Sequence, residues 1–120
     1  MTLVGLHHVQ VNVTDLAAAI SFYEALGLTV RSDRPDFGIK GAWLDAGSQQ
    51  LHLVAAEVPN DLGQHFAIEV SDLDQVIADL GEHGIDVRPP ASFAEGMPRV
   101  TFVRDPAGNP IELREPAPPL

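Results

Sequence analysis

Residues 8–30 read HVQVNVTDLAAAISFYEALGLTV, and residues 65–87 read HFAIEVSDLDQVIADLGEHGIDV. The two stretches align without a gap, and identical residues recur from the beginning to the end of the alignment: His8/His65, Val13/Val70, Asp15/Asp72, Leu16/Leu73, Ile20/Ile77, Gly27/Gly84 and Val30/Val87. Self-similarity at a fixed spacing is the signature of a duplicated structural unit. The sequence therefore predicts two copies of one module.

Each copy passes from a strand pattern to a helix pattern. Apolar residues first alternate, over residues 9–13 and again over 66–70, which is typical of a strand with one buried face. Asp15 and Asp72 then supply carboxylates that can accept hydrogen bonds from the free amides of a helix start. A glycine ends the helix pattern in both copies, as expected for a left-handed C-terminal cap.

Three further strands are predicted after each helix, because runs of turn-forming residues separate the apolar segments. They lie near residues 28–34, 39–45 and 50–55 in the first half, and near 86–88, 99–104 and 110–115 in the second. The predicted fold is α+β: one domain, residues 1–120, of two tandem β-α-β-β-β modules (about 4–56 and 63–115) that form a cupped mixed sheet with helices outside. Residues 57–63 are the predicted linker, and the proline-rich residues 115–120 are predicted to stay extended.

The composition narrows the class of function. Seventeen acidic residues against seven basic ones give a net charge of -10, so nucleic acid and anionic membrane surfaces would repel the chain. Without cysteine, a metal could bind only to histidine and carboxylate side chains. No segment resembles a signal peptide or a membrane span, so we expect a cytoplasmic protein. The expected partner is a small molecule.

The strand face that points away from the helices is predicted to be polar in the first and last strand of each half: His8, Gln10 and Asn12; Gln50 and His52; His65 and Glu69; Glu112 and Arg114. His8, His52, His65 and Glu112 can bind a metal, and they fall at two repeat-related positions on that face. Imidazole and carboxylate suit Zn, Ni, Fe, Co or Mn, and four ligands leave two positions of an octahedron open. A single strand-end histidine is more often a surface residue, so the hypothesis depends on the agreement between repeat and face.

Two histidines are left out of this predicted site. Alternation assigns His7 to the helix-facing side of the sheet, opposite to His8. His83 lies at the predicted end of the second helix, where an imidazolium interacts favourably with the helix dipole.

Several motifs together point to a known family: the His-Val strand start, the Asp-Leu helix opening followed by Phe22-Tyr23 and Leu26-Gly27-Leu28, the second His, and DPAGNPIE at residues 105–112. Over residues 6–115 the sequence resembles the vicinal oxygen chelate superfamily, which includes glyoxalase I, fosfomycin-resistance transferases, methylmalonyl-CoA epimerase, extradiol dioxygenases and bleomycin-binding proteins. The resemblance implies metal ligands at His8, His65 and Glu112. It places His52 where glyoxalase I has a glutamate and the epimerase a glutamine. It also implies a glyoxalase-like fold and a homodimer.

The activity that the resemblance implies is that of a metal-dependent lyase or isomerase. A divalent metal would hold two vicinal oxygens of a substrate and stabilise an enediolate. Glu112 would be a ligand and, by loosening from the metal, the general base, and Glu69 is a second candidate base. The candidate substrate-binding residues are polar, basic or aromatic: Gln10, Asn12, Trp43, Gln50, Arg99 and Arg114.

Three other functions stay open at this point. His8, His65 and Glu112 alone form the two-His-one-carboxylate set of an Fe(II) dioxygenase, although family dioxygenases generally carry two module pairs. Fosfomycin transferases resemble the chain at the metal positions but carry basic substrate contacts beyond the final glutamate, where this sequence has Pro118-Pro119-Leu120. A bleomycin-resistance-like protein that only binds a cationic ligand would suit the acidic composition.

Overall fold

A computed structural model describes residues 2–116 of the chain. The chain divides into two compact units, Met1–Asn60 and Asp61–Leu120, and the division falls inside the predicted linker. Residues 117–120 of the predicted extended tail lie outside the described residues. Within residues 2–116, no helix is long and apolar enough to cross a membrane.

The first unit contains one helix and four strands, in the order β1 (His8–Val13), α1 (Leu16–Ala25), β2 (Thr29–Val30), β3 (Gly41–Ala46) and β4 (Gln49–Ala55). Its sheet has the order β1-β4-β3-β2, with β1 parallel to β4 and the other neighbours antiparallel. Leu51 and Leu53 are buried on the face of β4 that packs on α1, together with Phe22 and Tyr23 of the helix. The opposite face of the sheet carries His8 and His52.

The second unit repeats this arrangement with β5 (Phe66–Glu69), α2 (Leu73–Glu82), β6 (Ala91–Ser92), β7 (Arg99–Arg104) and β8 (Pro110–Arg114). Its sheet has the order β5-β8-β7-β6, and β5 runs parallel to β8. Leu73, Leu80, Ile111 and Leu113 form its buried apolar core. The α+β fold of two β-α-β-β-β modules is thus confirmed, and each module forms a four-stranded sheet of its own.

Both helices begin and end where the repeated residues predict. The Asp15 carboxylate accepts a hydrogen bond from the amide of Ala18 at 3.1 Å, and Asp72 accepts one from Gln75 at 3.0 Å. Each bond satisfies an amide that has no partner within the helix. Just beyond the helix ends, Gly27 and Gly84 adopt φ angles of +102° and +75°, which favour glycine because it has no Cβ.

The predicted strand at residues 86–88 is wrong. The short strand of this region is instead β6, which begins three residues after the predicted strand and pairs with β7. Thr101 donates its hydroxyl hydrogen to the carbonyl oxygen of Arg88 at 2.8 Å, so a side chain occupies this carbonyl. Residues 89 and 90 are both proline and have no amide hydrogen for a strand ladder. In the first unit β2 is likewise only two residues long, whereas the pattern predicted a strand to residue 34.

Candidate functional site

The two sheets place the predicted ligands at equivalent register positions. His52 on β4 is paired with the residue two positions after His8 on β1. Glu112 on β8 is likewise paired with the residue two positions after His65, which directly precedes β5. Because alternate residues of a strand share a face, each unit brings one pair of predicted ligands together.

In the first unit the pair is part of a stack of aromatic rings. The imidazoles of His8 and His52 lie nearly parallel, with ring centroids 3.8 Å apart and planes at 14°. Trp43 of β3 covers the other side of His52 at 4.7 Å and 12°. His52 is consequently only 7% exposed although it points away from the helix. The three rings form one face-to-face stack across β1, β4 and β3, with His52 in the middle.

His7 also belongs to this cluster, so its assignment to the helix-facing side is wrong. Its Nδ1 lies 2.8 Å from Nδ1 of His8, and its ring meets His52 edge-on at 6.4 Å. Strand β1 begins at His8, so the alternation of strand side chains does not extend to residue 7. The contact with His7 occupies one ring nitrogen of His8 and leaves its Nε2 available.

His52 lies in surroundings that favour its neutral form. Burial lowers the pKa of His52, and electrostatic repulsion from the protonated forms of His8 and His7 and from Arg34 and Arg31 lowers it further. Its Nε2 lies 2.9 Å from Oε1 of Gln50, which is therefore a direct partner of the predicted ligand. Neutral imidazole is the form that binds metals.

In the second unit the pair consists of an imidazole and a carboxylate. Nδ1 of His65 lies 3.0 Å from the carbonyl oxygen of Gly63, and Nε2 lies 3.4 Å from Oε1 of Glu112. A carbonyl can only accept, so Nδ1 is the donor of that bond and neutral His65 presents a lone pair at Nε2. Glu112 is 9% exposed, and its Oε2 lies 3.8 Å from Nη1 of Arg114. Phe102 packs edge-on against the His65 ring at 5.1 Å.

The second pair fits a divalent metal ion by type and by spacing. Two ligand atoms at about 2.1 Å from one ion lie about 3.0–3.4 Å from each other, and the Nε2–Oε1 separation is 3.4 Å. A lone pair that faces a carboxylate oxygen is also stabilised by a cation between the two. The first pair fits by type, but its parallel rings would have to turn before both could face one ion.

Among residues 2–116, no three His, Asp or Glu side chains are grouped so that they could hold an ion. The structure brings the predicted ligands together as two pairs, and the set of four remains a prediction.

The other polar candidates lie in different positions on the two sheets. Gln10 is exposed on the His8 face, whereas the Asn12 amide donates to the backbone oxygen of Glu57 at 2.8 Å. Glu69, the second candidate base, is exposed at the end of β5, where its backbone is in register with Arg114. Arg114 itself is the basic side chain that contacts Glu112.

Arg99 lies on the opposite face of the second sheet. Phe102 is directly opposite Glu112, so alternation along β7 turns residue 99 toward the helix side. The Arg99 guanidinium there contacts Asp74 of α2 at 2.9 Å and Glu115 at 2.7 Å. These two carboxylates occupy the guanidinium away from the Glu112 face.

Two further residues of the first unit adjoin the ring stack and were not predicted. Phe37 lies 6.0 Å from Trp43, and the guanidinium carbon of Arg34 lies 5.1 Å from the centre of the Phe37 ring. Both belong to the irregular segment between β2 and β3, where no periodicity indicates a direction for the side chains.

The chain is thus an α+β protein built from two copies of one β-α-β-β-β module, with the predicted ligands at equivalent positions of both copies. The model of the Glyoxalase/Bleomycin resistance protein/Dioxygenase superfamily matches residues 5–113, and the chain belongs to this superfamily. It is 28% identical over 121 residues to the uncharacterized protein YaeR of Escherichia coli, an alignment that covers 91% of this chain and 94% of YaeR.

Other similar proteins carry names that describe an activity. The chain is 30% identical over 119 residues to lactoylglutathione lyase GLX1 of Arabidopsis thaliana, which covers 88% of this chain but only 42% of GLX1. A glyoxalase family protein of Enterococcus faecalis has a similar crystal structure, with 34% identity, a TM-score of 0.74 and coverage of 96% and 100%. A variant of the fosfomycin resistance protein FosX of Listeria monocytogenes, complexed with Mn(II) and 1S,2S-dihydroxypropylphosphonic acid, shares the fold at a TM-score of 0.81, with 16% identity and coverage of 95% and 93%.

Proposed function

We propose that the protein is a metal-dependent enzyme of lyase or isomerase type that removes a proton from a carbon next to a substrate oxygen. The observation that carries the proposal is the His65–Glu112 pair, in which Nε2 and Oε1 lie 3.4 Å apart. Membership of the superfamily and the similarity to a protein named lactoylglutathione lyase support the same class of reaction.

His8, His52, His65 and Glu112 would hold the divalent ion. Three neutral imidazoles and one carboxylate are donors for Zn, Ni, Fe, Co or Mn. The ion would supply Lewis acidity, which polarises a substrate oxygen and makes the adjacent carbon more acidic.

Glu112 is the proposed base. Its carboxylate is largely buried, with Oε1 3.4 Å from Nε2 of His65 and Oε2 3.8 Å from Nη1 of Arg114. A carboxylate whose position is restricted by its surroundings loses little conformational entropy when it accepts a proton from the substrate. Trp43 would supply an apolar wall for the substrate, with Gln10 beside it as an exposed hydrogen-bonding group.

Metal content of the purified protein tests the proposal. We expect gel-filtered protein exposed in turn to Ni, Zn, Mn and Fe(II) to retain one of these metals at a fixed ratio to protein, and Glu112→Ala to lose it. His83→Ala is the matched control, because His83 is an imidazole at the C-terminal end of α2 whose Nδ1 contacts the backbone oxygen of Asp79. Protein that retains none of the four metals, or a Glu112→Ala variant with the full amount, would overturn the proposal.

A binding protein without catalysis is the second candidate, and the ring stack favours it. Trp43, His52 and His8 form a column of stacked rings against which an aromatic ligand could pack. This alternative predicts tight binding of a planar cation by metal-free protein. A dioxygenase would instead consume oxygen with a catechol, and only when loaded with Fe(II).

A homodimer belongs to the same proposal. Light scattering behind gel filtration should give twice the chain mass of 12.9 kDa. A mass equal to that of one chain would contradict this part without affecting the metal site.

A further inference from the structure

A cavity of about 570 Å³ that is wide open to solvent lies in the first unit, and one of its lining residues, Arg34, contacts the Phe37 ring. The start of α1 and the segment between β2 and β3 form its walls, which include Leu16, Arg34, Pro35, Asp36, Ile39 and Lys40. None of the proposed metal ligands lines it. Its volume falls in the range of sites that bind small molecules.

Two cations in this cavity have no carboxylate partner. Four of the seven basic side chains form ion pairs: Arg31, Arg99, Arg104 and Arg114. Within residues 2–116, Arg34 and Lys40 lie beyond ion-pair distance of any carboxylate, and the buried Nε of Arg34 has no hydrogen-bond acceptor. Asp36 also lines the cavity, so its walls carry two positive charges and one negative charge in a chain of net charge -10.

The Arg34 guanidinium lies on the same sheet face as Trp43. A Cβ added at Gly41 would meet Nη2 of Arg34 at 2.7 Å and would also collide with the backbone oxygen of Leu53. Gly41 and Trp43 are alternate residues of β3, so their side-chain directions share a face. Glycine at this position therefore leaves room for the guanidinium, roughly 7 Å along the strand from Trp43.

Phe37 connects the cation to the ring stack. Its ring lies 6.0 Å from Trp43, and the Arg34 guanidinium carbon lies 5.1 Å from its centre. This face of the first unit thus presents the imidazole of His52, a proposed metal ligand, then the apolar rings of Trp43 and Phe37, and then a positive charge. An elongated ligand with one anionic end matches this order.

We propose that the cavity at Arg34 and Lys40 binds the anionic end of the substrate, a carboxylate or a phosphate, while the apolar part of the substrate lies along Phe37 and Trp43 toward His52. One part of this inference, that the bound molecule is a substrate, rests on the proposed function. The planar guanidinium matches the geometry of both anions, and its hydrogen bonds to them are charge-assisted.

Trp43 reports on the test directly, because it is the only tryptophan of the chain. Its fluorescence is followed while the full-length protein is titrated with 3-phenylpropionate, phenyl phosphate and the neutral 3-phenylpropanamide. We expect at least one anion to bind about 10-fold more tightly than the amide, the size of one charge-assisted hydrogen bond. The anion that binds more tightly distinguishes carboxylate from phosphate.

Arg34→Gln should abolish this preference, and Arg34→Lys should retain part of it because the charge remains. Arg88→Gln is the matched control, since Arg88 is a basic residue of the second unit that lines another cavity. Equal affinity of wild type for both anions and the amide would overturn the inference, as would an unchanged preference in folded Arg34→Gln. If Arg34→Gln does not fold, the inference is still tested by the affinities of wild type for the anions and the amide, and by the partial preference expected of Arg34→Lys.

The metal content of the same samples separates the two proposals. Protein that binds metal but does not prefer the anions contradicts this inference and leaves the proposed function standing. Protein that prefers the anions but binds no metal contradicts the proposed function and supports the cavity as an anion site of a binding protein.

Discussion

The two units share strand order and register, yet equivalent positions hold different chemistry. In the first unit the paired side chains are two imidazoles stacked at 3.8 Å, and a tryptophan covers them. In the second they are an imidazole and a carboxylate 3.4 Å apart. Backbone pairing determines where each pair lies, and the side chains determine what each pair can do. The first unit offers a stack of aromatic rings beside a cation, and the second offers a carboxylate beside an imidazole.

Replacement of the carboxylate should have the largest effect if this division of roles is correct. Glu112→Gln keeps the shape of the side chain but removes its charge, which weakens both the proposed base and a proposed metal ligand. We expect the rate of substrate deuterium exchange in heavy water to fall about 10²- to 10⁴-fold. Proton NMR of the metal-loaded protein with an α-hydroxyketone measures this rate. Glu82→Gln, at the exposed C-terminal end of α2, is the control and should retain the wild-type rate. An equal loss of rate in both variants would show that the effect is not specific to Glu112.

Truncation of the core compares the stability of the two units. Leu53 and Leu113 occupy equivalent places on β4 and β8, next to His52 and Glu112, and both are fully buried. We expect Leu53→Ala and Leu113→Ala each to lower the free energy of unfolding by about 2–5 kcal/mol, because each leaves a cavity. Urea denaturation followed by circular dichroism measures the loss. A change well below this range in one variant would show that its unit is less tightly packed than its burial indicates.

The helix caps provide a smaller matched comparison. Asp15→Ala and Asp72→Ala each remove the acceptor of one helix-start amide, and each should cost about 1 kcal/mol. Asp15→Asn and Asp72→Asn should retain most of the stability, since asparagine also caps helices. Thermal unfolding of the four variants distinguishes these outcomes. If the asparagine variants lost as much as the alanine variants, the effect would come from the charge and not from the cap.

The half-buried ion pair of Arg99 and Glu115 should give the smallest effect. Hydrogen bonds from Arg99 hold the pKa of Glu115 below its ordinary value of 4.5. A lowered pKa in the folded state contributes stability above the unfolded value, and this contribution is lost as the pH falls through the folded pKa. In Arg99→Gln the pKa should return toward 4.5, so the variant should gain less stability than wild type as the pH rises through the acid range. NMR titration of Glu115 checks the shift, and Arg31→Gln in the first unit should leave Glu115 unchanged.

Much of the fold could be predicted because its signals are local and occur twice. Alternation identified β1 and β5, and the repeated Asp and Gly marked the helix ends. The same alternation assigned His8, His52, His65 and Glu112 to one face of their strands, and the register agrees with that assignment.

The features that could not be predicted lie in irregular segments, where the sequence has no hydrophobic periodicity. His7 lies one residue before β1, so its direction follows from the turn of the chain and not from strand alternation. Arg34 and Phe37 reach the ring stack from an irregular segment, and only the glycine at position 41 makes the approach of Arg34 possible. The strand predicted at 86–88 failed because a threonine side chain and two prolines replace the ladder there.

The central claim is that His8, His52, His65 and Glu112 bind one metal ion, and X-ray absorption at the zinc edge tests it most directly. Zinc-loaded protein should show three imidazole ligands, and each of the variants His8→Ala, His52→Ala and His65→Ala should show one fewer. His83→Ala should leave the number unchanged. A spectrum with a single imidazole, or one that is the same in wild type and His8→Ala, would contradict the claim.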